Sequence, residues 1–193
     1  MNERISEIIE KIKNLEIELD VEFEKEFTEA REKFNYQIRR NKVLFERNAL
    51  IAQRRVKKNL YRFIKDAKVA HILSAPVIYS IIIPIFLLDL FVTIYQTICF
   101  PIYKIKKVKR SEYVVIDRHM LAYLNLIEKF NCLYCGYGNG VIAYAREIAS
   151  KTEEFWCPIK HAQKVRGRHS RYKDFADYGD SEGFKNKMKD VRS

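Results

Sequence analysis

Between Ile5 and Phe63 the chain contains no Gly and no Pro, and its apolar residues recur at helical spacing. They fall into rows with an eleven-residue period. Ile12, Phe23, Phe34, Phe45 and Val56 form one row, and Phe27, Ile38, Ala49 and Leu60 a second. A third runs through Ile8, Leu19, Ala30, Ala52 and Phe63, interrupted by Asn41. An eleven-residue repeat keeps such a stripe nearly straight or drifting right-handed. The pattern predicts one long, coiled-coil-like helix over residues 1–66. About 60 residues at ~1.5 Å each outreach any core this chain builds, so residues 5–63 are expected to associate with a second copy or a partner helix. Asn41 is placed to set register.

Residues 69–103, VAHILSAPVIYSIIIPIFLLDLFVTIYQTICFPIY, carry one formal charge, Asp89. Length and apolarity predict a membrane-inserted segment over residues 67–104. As one helix it would be ~50 Å long against a hydrocarbon core of ~30 Å, so a bend is expected. Pro84 lies near the midpoint, where it removes a backbone donor, and Asp89 follows near the apex or facing a partner arm. A hairpin is the preferred reading, with a single tilted helix from Tyr79 to Phe100 as its alternative. In either case Tyr79, Tyr95 and Tyr103 are interfacial anchors.

The pattern then becomes ordinary. A helix is expected from about Arg118 to Phe130 and a second over VIAYAREIASKTEEF, building a small helical domain at residues 105–163. Residues 164–193 read as a polar basic tail, loosely held at its far end. The whole is a mainly α chain.

Charge sharpens the membrane reading. Residues 1–38 hold eleven acidic and six basic side chains, whereas residues 39–68 hold two acidic and eleven basic ones. Five basic residues precede the apolar segment (Lys57, Lys58, Arg62, Lys65, Lys68) and five follow it (Lys104, Lys106, Lys107, Lys109, Arg110). The positive-inside bias draws both flanks to the cytoplasmic face. The N-terminus lacks a basic stretch followed by an apolar core and a small-residue cleavage site, so synthesis without signal cleavage is expected.

Four cysteines are too few for a disulfide scaffold. The pattern Cys132-x2-Cys135, twenty-one residues, Cys157-x3-His161 fits a Cys3His zinc site, in which each short spacing places two donors together. Gly136 is suited to the tight turn of a knuckle, and Pro158 starts a turn that carries His161 round. An iron–sulfur cluster or free thiols in a small core are the alternatives. A c-type haem site would need His directly after Cys135, where Gly136 stands. His119 and His169 are read as structural or solvated residues, His71 as interfacial, and Asp174, Asp177 and Asp180 as an exposed acidic turn.

The segments YSIIIPIFLLDLF, YQTICFPIY, NCLYCGYGNG, YAREI, FWCPIKHA and FADYGD resemble a family of uncharacterised bacterial membrane-associated proteins. The resemblance covers more than half of the chain, most specifically in the cysteine segments, and leaves out the N-terminal helix. It implies a bacterial, membrane-linked setting and no particular catalysis; the expected location is the bacterial inner membrane with both ends cytoplasmic.

The expected function is therefore a membrane-anchored structural or interaction protein with a cytoplasmic metal-stapled domain. Four ligands close a tetrahedron and leave no position open for chemistry. A thiol- or metal-dependent enzyme using Asp117, His119 or His161 is the second reading, and nothing in the sequence demands it. Nucleic-acid binding is the third and weakest. Tyr172 and Trp156 give little stacking surface, and the basic residues beside the apolar segment are accounted for by lipid phosphates.

Overall fold

The N-terminal apolar rows do not run through one helix. In the computed structural model, which describes residues 3–39 and 42–192, α1 (Glu3–Lys33) gives way to an antiparallel hairpin, β1 (Tyr36–Arg39) with β2 (Lys42–Phe45). Asn35 makes the change. It adopts φ 52, the left-handed conformation that Asn tolerates after a helix, and its carbonyl accepts from Glu46 N–H at 3.0 Å to close the hairpin. Tyr36 and Ile38 alternate with polar residues at a period of two, and the Tyr36 and Phe45 rings meet 5.5 Å apart across the strands. The expected continuous helix over 1–66 is thus corrected, because a local strand pattern overrides the eleven-residue rows. Asn41 and its register role lie outside the described residues.

The chain divides into two units. One comprises residues 1–60 and 120–125, with α2 (Arg47–Arg55) tied to residue 122 by Ala122 N–H donating to Gln53 Oε1 at 2.9 Å. Every residue of α1 from Lys11 to Glu29 is exposed. The short α3 (Leu60–Lys65) follows.

The other unit, residues 61–119 and 126–193, is organised by the apolar segment. Val69–Ile102 is a 34-residue helix, long and apolar enough to cross a membrane. It is interrupted only at Ile81, which separates α4 (Val69–Ser80) from α5 (Ile82–Ile102). Ile81 remains right-handed at φ −63, ψ −19, so the expected reversal at Pro84 does not form. Pro84 is the third residue of α5, where a backbone donor has no helical partner anyway. The carbonyls just before the interruption find other donors. Ile78 O accepts from Ile81 N–H at 3.3 Å and from Tyr134 Oη at 2.7 Å, and Val77 O accepts from Ser80 Oγ at 2.7 Å.

The long helix α7 (Leu126–Trp156) lies alongside this rod in the same direction. Tyr79 pairs with Asn131, Asp89 with Tyr137, Gln96 with Tyr144, and the Tyr103 ring stacks on Phe155 at 5.1 Å. Parallel helices require the chain to come back between them. Residues 105–118, including α6 (Arg110–Tyr113), make that return, and α7's glycines let it lie close. A Cβ on Gly140 would stand 2.7 Å from Tyr113 O and 2.8 Å from Val114 Cα. Phe100, Val108, Tyr144 and Ile148 form the core where the three layers meet.

The cysteine segment therefore lies inside a helix, not in a turn between two helices. A 3-10 turn at Arg118–Met120 takes the place of the expected helix start, and the stretch 141–155 continues α7. The tail is also held. Arg171 donates to Glu147 at 2.7 Å and pairs with Glu154 at 3.2 Å, and its guanidinium is kept firmly charged by that Glu147 bond. In α8 (Ser181–Arg192), capped by Asp180 accepting from Gly183 N–H at 2.8 Å, Arg192 stacks over Phe155 and Trp156.

Candidate functional site

A polar cluster sits in the middle of the apolar helix. On α5 the inward residues are spaced at Asp89, Thr93 and Gln96, one stripe of a helix, while Leu87, Phe91, Ile94 and Ile98 point outward and are exposed. Asp89 and Gln96 are buried. Arg110 from the return segment grips Asp89 with a two-pronged bond, Nε to Oδ1 at 3.0 Å and Nη2 to Oδ2 at 2.7 Å. Tyr137 Oη on α7 donates to Oδ2 at 2.9 Å, and Thr93 Oγ1 lies 3.5 Å from Oδ1. One carboxylate thus ties all three layers together.

Gln96 repeats the arrangement one step along. Its Oε1 accepts from Val108 N–H at 3.0 Å, and its Nε2 donates to Val108 O at 3.3 Å and to Tyr144 Oη. These bonds satisfy both backbone polar groups of the buried Val108, which would otherwise be left unpaired against apolar surface. Burial, then the bond to Asp89, pushes the Tyr137 phenol up, and the Asp89 carboxylate holds the Arg110 guanidinium more firmly charged. With its oxygens engaged by Arg110, Tyr137 and Thr93, Asp89 is equipped to fasten rather than to abstract a proton.

The metal reading meets a geometric obstacle. Cys132 and Cys135 lie one turn apart on α7, but 21 residues separate Cys135 from Cys157, which follows the helix end. At ~1.5 Å per residue that is ~32 Å, whereas the ligands of one zinc stand within about 2.0–2.3 Å of the ion. Gly136, expected to turn the chain, is buried in the helix 3.4 Å (as a Cβ) from Val115 O. His161 stacks on Tyr172 at 6.1 Å and donates its backbone N–H to the Tyr172 hydroxyl at 2.6 Å. The structure therefore does not bring Cys132, Cys135, Cys157 and His161 together. Among the described residues, no group of three or more His, Cys, Asp or Glu side chains is placed to hold a metal ion. His169 pairs with Glu153 at 2.9 Å, and Asp177 with Lys160 at 2.8 Å, which holds the Asp177 carboxyl below its ordinary range.

Because no element is built on those four side chains, chelation is expected to leave helical content unchanged. Circular dichroism of the purified chain with and without a strong chelator checks this; a loss of ellipticity on chelation would restore the staple.

Compared with family models, curated proteins and solved structures, the chain matches none. The site must be read from its own chemistry. Its two main cavities, of about 460 and 840 Å³, share Tyr79 and Phe130 and are otherwise walled mainly by aliphatic and aromatic side chains of α4, α5 and α7. Such walls suit hydrocarbon better than a polar substrate. Arg110, Gln96, Tyr137 and Tyr144 were not expected as site residues. One signal was available: Gln96 lies seven residues after Asp89, two turns along the same face.

Proposed function

We propose that this protein is a membrane-anchored interaction protein of the bacterial inner membrane. The α5 unit provides the anchor, and α1 provides the surface offered to a partner helix or a second copy. The observation that carries the proposal is the inverted polarity of α5, which buries Asp89 and Gln96 while leaving Ile83, Phe91, Ile98 and Ile102 at least half exposed. A helix folded for water does the reverse, and polar residues turned inward from an apolar surround are what lipid imposes. The basic residues on both flanks add attraction to anionic headgroups.

Carbonate washing is expected to leave the full chain in the membrane fraction, and detergent to release it. Release by carbonate alone would reject anchorage, because a peripheral contact cannot account for so much exposed apolar surface.

Association is supported by α1, whose Ile8, Ile12, Leu19, Phe23 and Phe27 are about half exposed along one stripe. A helix of ~46 Å with such a stripe is marginal alone in water. Phe23→Lys together with Phe27→Lys is expected to reduce the detergent-solubilised full chain to monomer in sedimentation. A wild-type chain already monomeric there would remove self-association and leave a partner helix of another protein.

A further inference from the structure

The anchor's mode of insertion follows from what packs on its inner side. We propose that the Val69–Ile102 helix lies in the plane of one leaflet of an anionic bilayer and does not cross it; this rests on the membrane-anchor reading above.

The helix itself is long enough to span, but its companions are not apolar enough to go with it. Lys109 and Glu112, an ion pair at 3.4 Å, have side chains 74 % and 61 % exposed and flank Arg110, which is fixed to Asp89. They therefore stand beside the middle of the rod. Near its first third, Tyr79 bonds Asn131, which follows Glu128 and Lys129 on α7. A crossing needs ~20 consecutive residues inside the hydrocarbon. Within 69–102, any window of that length contains position 79 or position 89. Every possible span would thus drag Glu128 and Lys129, or Lys109 and Glu112, towards the hydrocarbon, the costly place for charge.

Lying flat removes the conflict. Asp89 and Gln96 show where the charged layers sit: both residues point to Arg110, Val108 and α7, on the side of α5 opposite to Leu87, Phe91, Ile94 and Ile98. One face therefore enters the acyl region while α7 and the return segment stay at headgroup level. Lys104, Lys106, Lys107 and Lys109, all exposed, line that return segment and match anionic phosphates. Both flanks then remain on one face of the membrane although the helix is unbroken by any reversal.

The test uses the full chain added to preformed vesicles of phosphatidylglycerol and phosphatidylcholine. In a Trp156→Phe background, Leu73→Trp, Phe91→Trp and Ile98→Trp report depth through quenching by lipids brominated at graded positions. Asp66→Cys and Lys106→Cys, with the native cysteines replaced by serine, report sidedness to an impermeant maleimide. The expected result is equal, shallow depth at the three tryptophans and labelling of both cysteines from outside. Binding should fall at least about tenfold on pure phosphatidylcholine. Equal affinity for the two lipid mixtures would overturn the anionic leaflet. A tryptophan depth that peaks at residue 91, or one cysteine protected until detergent is added, would overturn in-plane insertion while leaving anchorage standing. Failure to sediment with either kind of vesicle would reject the anchor itself. The tryptophan series keeps the test decisive if the cysteine-free chain does not fold.

Discussion

Gly140→Val is expected to separate the return segment from α7 and to lower the melting temperature of the full chain in detergent more than any other single glycine change in that helix. The reason is local. The two atoms nearest a Cβ at this position are backbone, Tyr113 O at 2.7 Å and Val114 Cα at 2.8 Å, and neither can rotate aside. Even Gly140→Ala is expected to destabilise, since overpacking costs ~1–3 kcal/mol and the helical preference of Ala over Gly returns only ~1. Val adds two methyl groups to the same clash. Gly136→Ala is the control. Its Cβ would meet Val115 O at 3.4 Å, an ordinary contact, so helix propensity should dominate and stabilise by up to ~1 kcal/mol. At ~2–4 °C per kcal/mol for a chain of this size, thermal unfolding followed by circular dichroism resolves the two outcomes. If Gly140→Ala raised the melting temperature as Gly136→Ala does, the return segment would not lie where it is described.

That contrast also explains why the cysteine segment is helical and not the expected turn. In CLYCGYGNG, glycine and Asn-Gly are turn signals when only neighbours in sequence are considered, and two cysteines beside them suggest a knuckle. Gly136 and Gly140 are instead four residues apart on one helix face, the spacing that lets another backbone approach. Only the position of residues 113–115, about 25 residues away in sequence, decides between the two. The hairpin at Tyr36–Phe45 was missed for the opposite reason. Rows of eleven residues suggested continuity, while the two-residue alternation around Asn35 and Tyr36 is a short-range pattern that a longer period hides. The apolar segment is legible as membrane-grade, because a run of 34 residues needs no tertiary partner to identify it, but the hairpin expected of it gives way to a helix without reversal. What Pro84 would do was not legible. A proline near the start of a helical segment is tolerated, and only the interruption at Ile81 shows that α5 restarts there.

Arg110→Leu is expected to destabilise the full chain by ~2–4 kcal/mol, more than Asp89→Leu and Arg110→Leu made together. With Arg110 gone, the Asp89 side chain, only 12 % exposed, keeps its charge with Tyr137 and Thr93 alone. Removing one member of a buried pair typically costs ~3–5 kcal/mol; the figure is reduced here because the Arg110 side chain is 42 % exposed and solvent screens part of the attraction. Asp89→Leu alone should cost less, ~1–2 kcal/mol, since the guanidinium can turn outward to water and the remaining burden falls on the Tyr137 hydroxyl. The double substitution removes both charges and leaves apolar side chains on apolar surface, so its loss should be smaller than the sum of the single losses by at least ~1 kcal/mol. Thermal unfolding of the four proteins in one detergent gives the cycle. Additivity within ~0.5 kcal/mol would mean that the pair does not couple and that the return segment is held by Gln96 and the glycine contacts alone. A positive coupling makes Asp89 the fastening of the anchor, which is why a lone carboxylate sits in the middle of an otherwise uncharged helix of 34 residues.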